Sequence, residues 1–328
     1  MGYIEIIKEG LQVANKNWQL ILIQFLFMFL GFLFMLIIVG IPLAIAFIIF
    51  GVDLTEMLRQ PDLAGVFRIA GEMVSKSLLI VIFVVLSFIL YAASLVCMSI
   101  FVWAGTIGLL ARTIQNGQSF SLQVFWSEAR RLFFPVFIYA NIAGLGFTLF
   151  TMSMGVLGES ANQLVILAET SEAAFSEFLR IFFGLLLGTT GLLIFLFILG
   201  TTLYGFGYLA FNRPRPFRGL KQTVLYMYRN PKALLLTSIM IAVFLAVLFV
   251  ISLVSIFSAS IPVIGTLLTL PLNFASQAAL WYAMVIIIAS LLLFYYRTGY
   301  LSSLPSSRSD QDTIQKPGER QAAVLTKE

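Results

Sequence analysis

Six stretches of this chain run for twenty residues or more without an Asp, Glu, Lys or Arg: about 18–40, 78–111, 132–157, 181–211, 234–257 and 277–296. An α-helix rises 1.5 Å per residue, so ~20 such residues cross the ~30 Å hydrocarbon core of a bilayer. Only helices and closed barrels satisfy their backbone polar groups there, and runs this long read as helices. The rest of the composition agrees. Soluble domains are about 25% charged and about 45–50% apolar, whereas this chain is 11% charged and 60% hydrophobic. The expected fold is therefore all-α: a polytopic transmembrane helical bundle of six spans within residues 1–300. The polar segment 301–328, "LSSLPSSRSDQDTIQKPGERQAAVLTKE", is expected to be a disordered cytoplasmic tail.

Two runs are longer than a span and carry a proline. "VGIPLAIAF" predicts that the first helix breaks or kinks at Pro42, leaving a short interfacial or re-entrant piece over 42–50. "ASIPVIGTLLTLPL" predicts the same after Pro262. The first eighteen residues carry two acids and two bases before a long apolar run, which does not fit a cleavable signal.

Lys and Arg are distributed unevenly. The N-terminus, the 112–131 and 212–233 connections and the tail hold sixteen of the twenty, and the alternate connections hold four. Basic connections stay in the cytoplasm. This predicts a multi-pass protein of a cytoplasmic (inner) membrane with both termini inside.

Each odd-numbered span is preceded by a short amphipathic stretch. In "YIEIIKEGLQVANKNW", Ile6, Ile7, Gly10, Leu11, Val13 and Ala14 share one helical face. In "SLQVFWSEARRLF", Leu122, Phe125, Trp126, Ala129 and Leu132 oppose Gln123, Ser127, Arg130 and Arg131. In "RGLKQTVLYMYRN", Leu220, Val224, Met227 and Tyr228 oppose Arg218, Lys221, Gln222 and Arg229, after a "NRPRP" turn. Gly residues cluster late in the preceding even spans, as in "VWAGTIGLL" and "LYGFGYLAF". The expectation is a threefold internal repeat, each unit an in-plane amphipathic helix followed by a two-span hairpin.

With its "NKNW", "ARRL" and "YRNPKALLL" span entries and its Gly-rich even-span ends, the chain resembles six-span bacterial integral membrane families of unassigned function. Among these is the membrane domain attached to some glycerophosphodiester phosphodiesterases. The resemblance covers about residues 1–300 and implies an architecture. It transfers no catalytic residue, because the metal-binding His residues of the phosphodiesterase have no counterpart in a chain without His.

The absence of His also removes the usual neutral-pH base, the commonest metal ligand and every Ser-His or Cys-His nucleophile. One Cys, Cys97, can form neither an internal disulfide nor a structural zinc site. No catalytic, cofactor or metal site is predicted. The strongest charge feature is 211–232, with Arg213, Arg215, Arg218, Lys221, Arg229 and Lys232 and no acid. Together with Arg130 and Arg131 it is read as a contact for anionic lipid headgroups or for an acidic membrane or cytoplasmic protein partner. Its tyrosines fit interfacial anchors better than base-stacking platforms, so nucleic acid is not expected. Glu159, Glu169, Glu172 and Glu177 are read as a solvated outer face. The "GLLLG" motif, Gly184 and Gly188, predicts close helix packing. The favoured role is a non-catalytic lipid-interacting scaffold or accessory subunit. The alternative is a transporter or permease subunit for an uncharged or lipid-like substrate, with a polar path lined by Thr189, Thr190 and Asn141.

Overall fold

The computed structural model describes residues 2–50, 78–169, 173–212, 215–259 and 264–300. Among the described residues there is helix and no strand, and six helices are long and apolar enough to cross a membrane. This is an all-α polytopic bundle.

In chain order the elements are α1 (Tyr3–Lys16), α2 (Gln19–Phe34), a π-helical stretch (Met35–Gly40), α3 (Ile41–Phe50), α4 (Leu78–Asn116) and α5 (Leu122–Glu169). They continue with α6 (Ala173–Phe211), α7 (Pro216–Arg229), α8 (Pro231–Ala259) and α9 (Ile264–Tyr295), whose end widens into a second π-helical stretch, Tyr296–Tyr300. At 48 residues, α5 is about 72 Å long, far more than a bilayer core needs. It carries Glu159 and Glu169 as exposed residues on a helical extension. Glu177 pairs with Arg180 at 2.6 Å on the facing start of α6. Glu172 and the 51–76 connection lie outside the described residues.

Of a break and a kink at Pro42, the structure excludes the break. The first helix does not stop at Pro42 but continues to Ile48 as one apolar helix. Proline has no N–H to give the carbonyl four residues back, and its ring crowds that carbonyl. A wider π turn, Met35–Gly40, lies just before Pro42, and the helix is not broken. Pro135 and Pro271 likewise sit inside α5 and α9. Pro262 lies outside the described residues, and α9 begins two residues after it. Pro216 belongs to no turn: it is the first residue of α7, where its fixed φ suits a helix start.

Two amphipathic stretches are separate helices and one is not. α1 ends at Asn17, whose side-chain amide donates to the Val13 carbonyl at 2.8 Å. α7 ends at Asn230, whose amide donates to the Tyr226 carbonyl at 3.0 Å. At Asn17 the backbone N–H turns to the Ala14 carbonyl and the side chain takes over the Val13 carbonyl, whereas at Asn230 the backbone N–H and the side-chain amide both bond the Tyr226 carbonyl. The second stretch has Arg130 and Arg131 in place of an Asn, and it runs straight into its span as the first turns of α5.

α9 is the central helix. Half of its most apolar window is buried, against 17% or less for the other five spans. α2–α3 pairs with α4, α5 with α6, and α8 with α9. The largest fully buried side chains, including Phe125, Tyr139, Tyr204, Leu209 and Leu236, gather where Arg112, Arg131 and Arg297 also lie. We call this the basic end. Toward the far end, residues such as Leu79, Leu149, Leu185 and Phe249 are exposed, as helices in contact with lipid tails must be.

Candidate functional site

The basic end is built by seating each amphipathic segment on the close of an earlier or final span. On α4, a Cβ at Gly105 would lie 2.5 Å from the Phe125 ring, and one at Gly108 would lie 2.6 Å from Glu128 Cβ. On α6, a Cβ at Gly200 would meet Met227 of α7 at 2.6 Å, and one at Gly205 would meet the Tyr139 hydroxyl at 1.9 Å. At the α1–α9 contact the small residue is on the other partner: Gly10 of α1 rests on Ser290. The glycine clusters of the even spans are thus seats for bulky groups, as small residues allow.

Polar ties link these elements. Glu128 is 1% exposed and is held from two sides. Arg112 Nε of α4 donates to one carboxylate oxygen at 2.8 Å, and Arg131 Nε of α5 donates to the other at 2.7 Å. Arg131 Nη2 also donates to the Ala210 carbonyl of α6 at 3.2 Å. A buried carboxylate needs such charge-assisted partners. The triad staples three spans together and carries one excess positive charge. Elsewhere Arg297 pairs with Glu9, joining α9 to α1 at 2.5 Å. Tyr282 donates to Asn15, and Thr113 donates to the buried Asn17 at 3.4 Å. Tyr226 shares a 2.6 Å hydrogen bond with Thr298. Burial pushes the Tyr226 phenol up to about 12, with the Thr298 bond opposing the rise.

The helix α7 presents the remaining charge. Gly219, Thr223 and Met227 are buried against the bundle, where Tyr208 and Leu209 of α6 close over Gly219. Val224 and Tyr228, read from the sequence as part of the apolar face of an in-plane helix, face away from the bundle, and Tyr228 is 82% exposed. α1 shows the converse: its apolar face, with Ile6 and Ala14 fully buried, covers α9 and is not left to lipid.

Of the basic residues singled out from sequence, Arg215, Arg218, Lys221, Arg229 and Lys232 are exposed and have no acid partner among the described residues. Arg213 lies outside the described residues. Arg130 is exposed and sits over the Trp126 ring at 5.7 Å. Arg131 is not a free lipid contact, since Glu128 and the Ala210 carbonyl occupy its guanidinium. Gly184 and Gly188 make no close packing among the described residues: none of these lies within 4 Å of a Cβ at either position. Thr189 and Thr190 are exposed, and the exposed Asn141 donates to the Phe137 carbonyl of its own helix, so these three line no path through the bundle. Among the described residues no group of three His, Cys, Asp or Glu could hold a metal.

The Glu128 triad was missed in the sequence, although a signal was present. Glu128 falls at the same helical face as Phe125 and Leu132, the one acid in an apolar stripe, three residues from Arg131. The chain matches no known family, no curated protein and no solved structure.

Proposed function

We propose that this is a non-catalytic integral membrane protein that engages anionic lipid headgroups through its basic end, as a lipid-interacting scaffold or accessory subunit. The observation that carries the reading is α7. Five cations on or flanking this helix lack acid partners among the described residues, while Phe217 and Tyr228 project beside them, 72% and 82% exposed. A soluble surface gains nothing from two protruding aromatics among cations. At a bilayer interface, each Lys or Arg near anionic lipid is worth about 1 kcal/mol, and aromatic rings prefer the headgroup level. The charge asymmetry of the connections supports a cytoplasmic position for this end, facing the anionic leaflet. We read the three hairpins and their amphipathic segments as three copies of one unit.

The test is direct. Arg218, Lys221 and Arg229 replaced together by Gln should lower the anionic lipid retained through detergent extraction, with membrane insertion unchanged. Retention equal to that of the parent chain would sink the lipid role. Crosslinking in native membranes would then decide for an acidic protein partner.

A further inference from the structure

Two grooves flank α2 and meet at Phe27. The first, about 770 Å³, runs between Ile23 and Leu26 of α2 and the start of α5, where Gln123, Ser127 and Arg130 line it. These three polar residues are spaced four and three apart and so share one helical face. The second, about 510 Å³, continues along α2 past Met28 and Met35 and is closed by Met98 of α4 and Met284 of α9. Phe27 packs on Phe101 at 6.2 Å, and Phe101 meets Trp126 edge-on at 4.8 Å. The first groove, mostly apolar but with a cation and two polar side chains along its α5 wall, forms the mouth and shares Phe27 with the slot that follows the helix axis.

The charge at the mouth is uncommitted. Arg130 has no acid partner among the described residues, whereas its neighbour Arg131 is consumed by Glu128. The slot offers flexible thioethers, which adapt to a chain of variable shape. In the second groove, three residues before Phe27, the buried Oε1 of Gln24 accepts no hydrogen bond among the described residues. A hydroxyl at that level would satisfy it.

We propose that these grooves form one site for an anionic phospholipid. Its phosphate sits at Arg130, Ser127 and Gln123 hold headgroup oxygens, and one acyl chain passes Phe27 into the methionine slot. This rests on the reading of the protein as lipid-interacting, and it names a binding site apart from the α7 surface. A zwitterionic lipid brings its own cation to the phosphate and gains less from Arg130. The proposal thus specifies charge at the mouth and chain length in the slot.

The full chain, purified in mild detergent, can be titrated with phosphatidylglycerol and with phosphatidylcholine while native mass spectrometry counts bound lipid. One phosphatidylglycerol should bind about fivefold more tightly than phosphatidylcholine, the factor one cation–anionic-lipid contact supplies. Arg130→Gln should lower that preference to what the α7 surface alone supplies, and Arg130→Lys should keep most of it. Met98→Trp and Met28→Trp, which fill the slot from opposite walls, should weaken both lipids. Inorganic phosphate at millimolar concentration should displace neither. Arg130 is exposed and takes no part in an ion pair, so its replacement leaves the fold intact. An unchanged preference in Arg130→Gln overturns the site. So does displacement by inorganic phosphate, which would mark a small-anion site, or indifference to both slot substitutions. If Arg130→Gln loses nothing while the triple α7 variant loses anionic lipid, the groove fails and the lipid-interacting reading stands. If neither loses lipid, both fail.

Discussion

At the scale of single residues, the basic end depends on glycines that are seats and not hinges. Gly205 has the Tyr139 hydroxyl where its Cβ would be, and that hydroxyl donates to the Thr201 carbonyl at 2.8 Å. Gly205→Ala must therefore displace a buried Tyr, and overpacking of this kind costs about 1–3 kcal/mol. Gly184 has open space around it, so Gly184→Ala should be neutral or stabilise the helix by up to about 1 kcal/mol. Thermal unfolding of the two variants in one detergent separates these cases. A Gly184→Ala variant that instead melts early or changes oligomeric mass would show that "GLLLG" packs on a partner outside the chain. Tyr226 provides a pH handle. Its folded pKa is raised to about 12, so the neutral phenol is favoured in the folded state. Its contribution is complete below the unfolded value of about 10 and is lost as pH rises from there through 12. Alkaline unfolding should show less loss between pH 10 and 12 in Tyr226→Phe than in the parent chain.

At the scale of elements, what was legible in the sequence was periodicity, and what was not was the choice between a break and a continuation. The amphipathic pattern is equally clear before all three odd spans, yet only Asn17 and Asn230 end a helix. The Asn141 amide folds back on its own helix in the same way without ending it, so neither the helical pattern nor the Asn alone displays where a helix stops. The second contact of α7 was likewise not displayed: beside the apolar face, the seat against α6 takes Gly219, Thr223 and Met227 and leaves Val224 and Tyr228 outward. Pro42 illustrates the limit from the other side. Helix-breaking propensity is real, but in a membrane a free backbone group is so costly that the helix adjusts locally instead of ending. If Pro42 causes the π turn, Pro42→Ala should return Met35–Gly40 to α-helical hydrogen bonding, seen as increased amide protection over 36–40. A π turn that persists in the variant would place its cause in the packing of the buried Val39.

At the scale of the whole molecule, burial and charge coincide. The six spans were legible because lipid demands uncharged runs, and their class follows from that demand alone. Of the Glu128 staple only the half with Arg131, three residues on, left a signal in the sequence, because Arg112, 16 residues away, meets Glu128 only after α4 and α5 pair. That staple, the Glu9–Arg297 pair and the exposed cations of α7 all lie at one end, so the orientation of the bundle decides which leaflet the cations meet. The charge count predicts the cytoplasmic leaflet. Cys97 is the chain's one thiol and is exposed on the apolar part of α4, so Cys97→Ser gives a background for labelling. On it, Gln222→Cys marks the basic end and Gln163→Cys the far end, both exposed positions. In intact cells a membrane-impermeant maleimide should label position 163 and spare 222, and permeabilisation should expose both. Labelling at 222 alone before permeabilisation would invert the bundle. The cations of α7 would then face the outer leaflet, and the anionic lipid that the cytoplasmic leaflet supplies could not be their ligand.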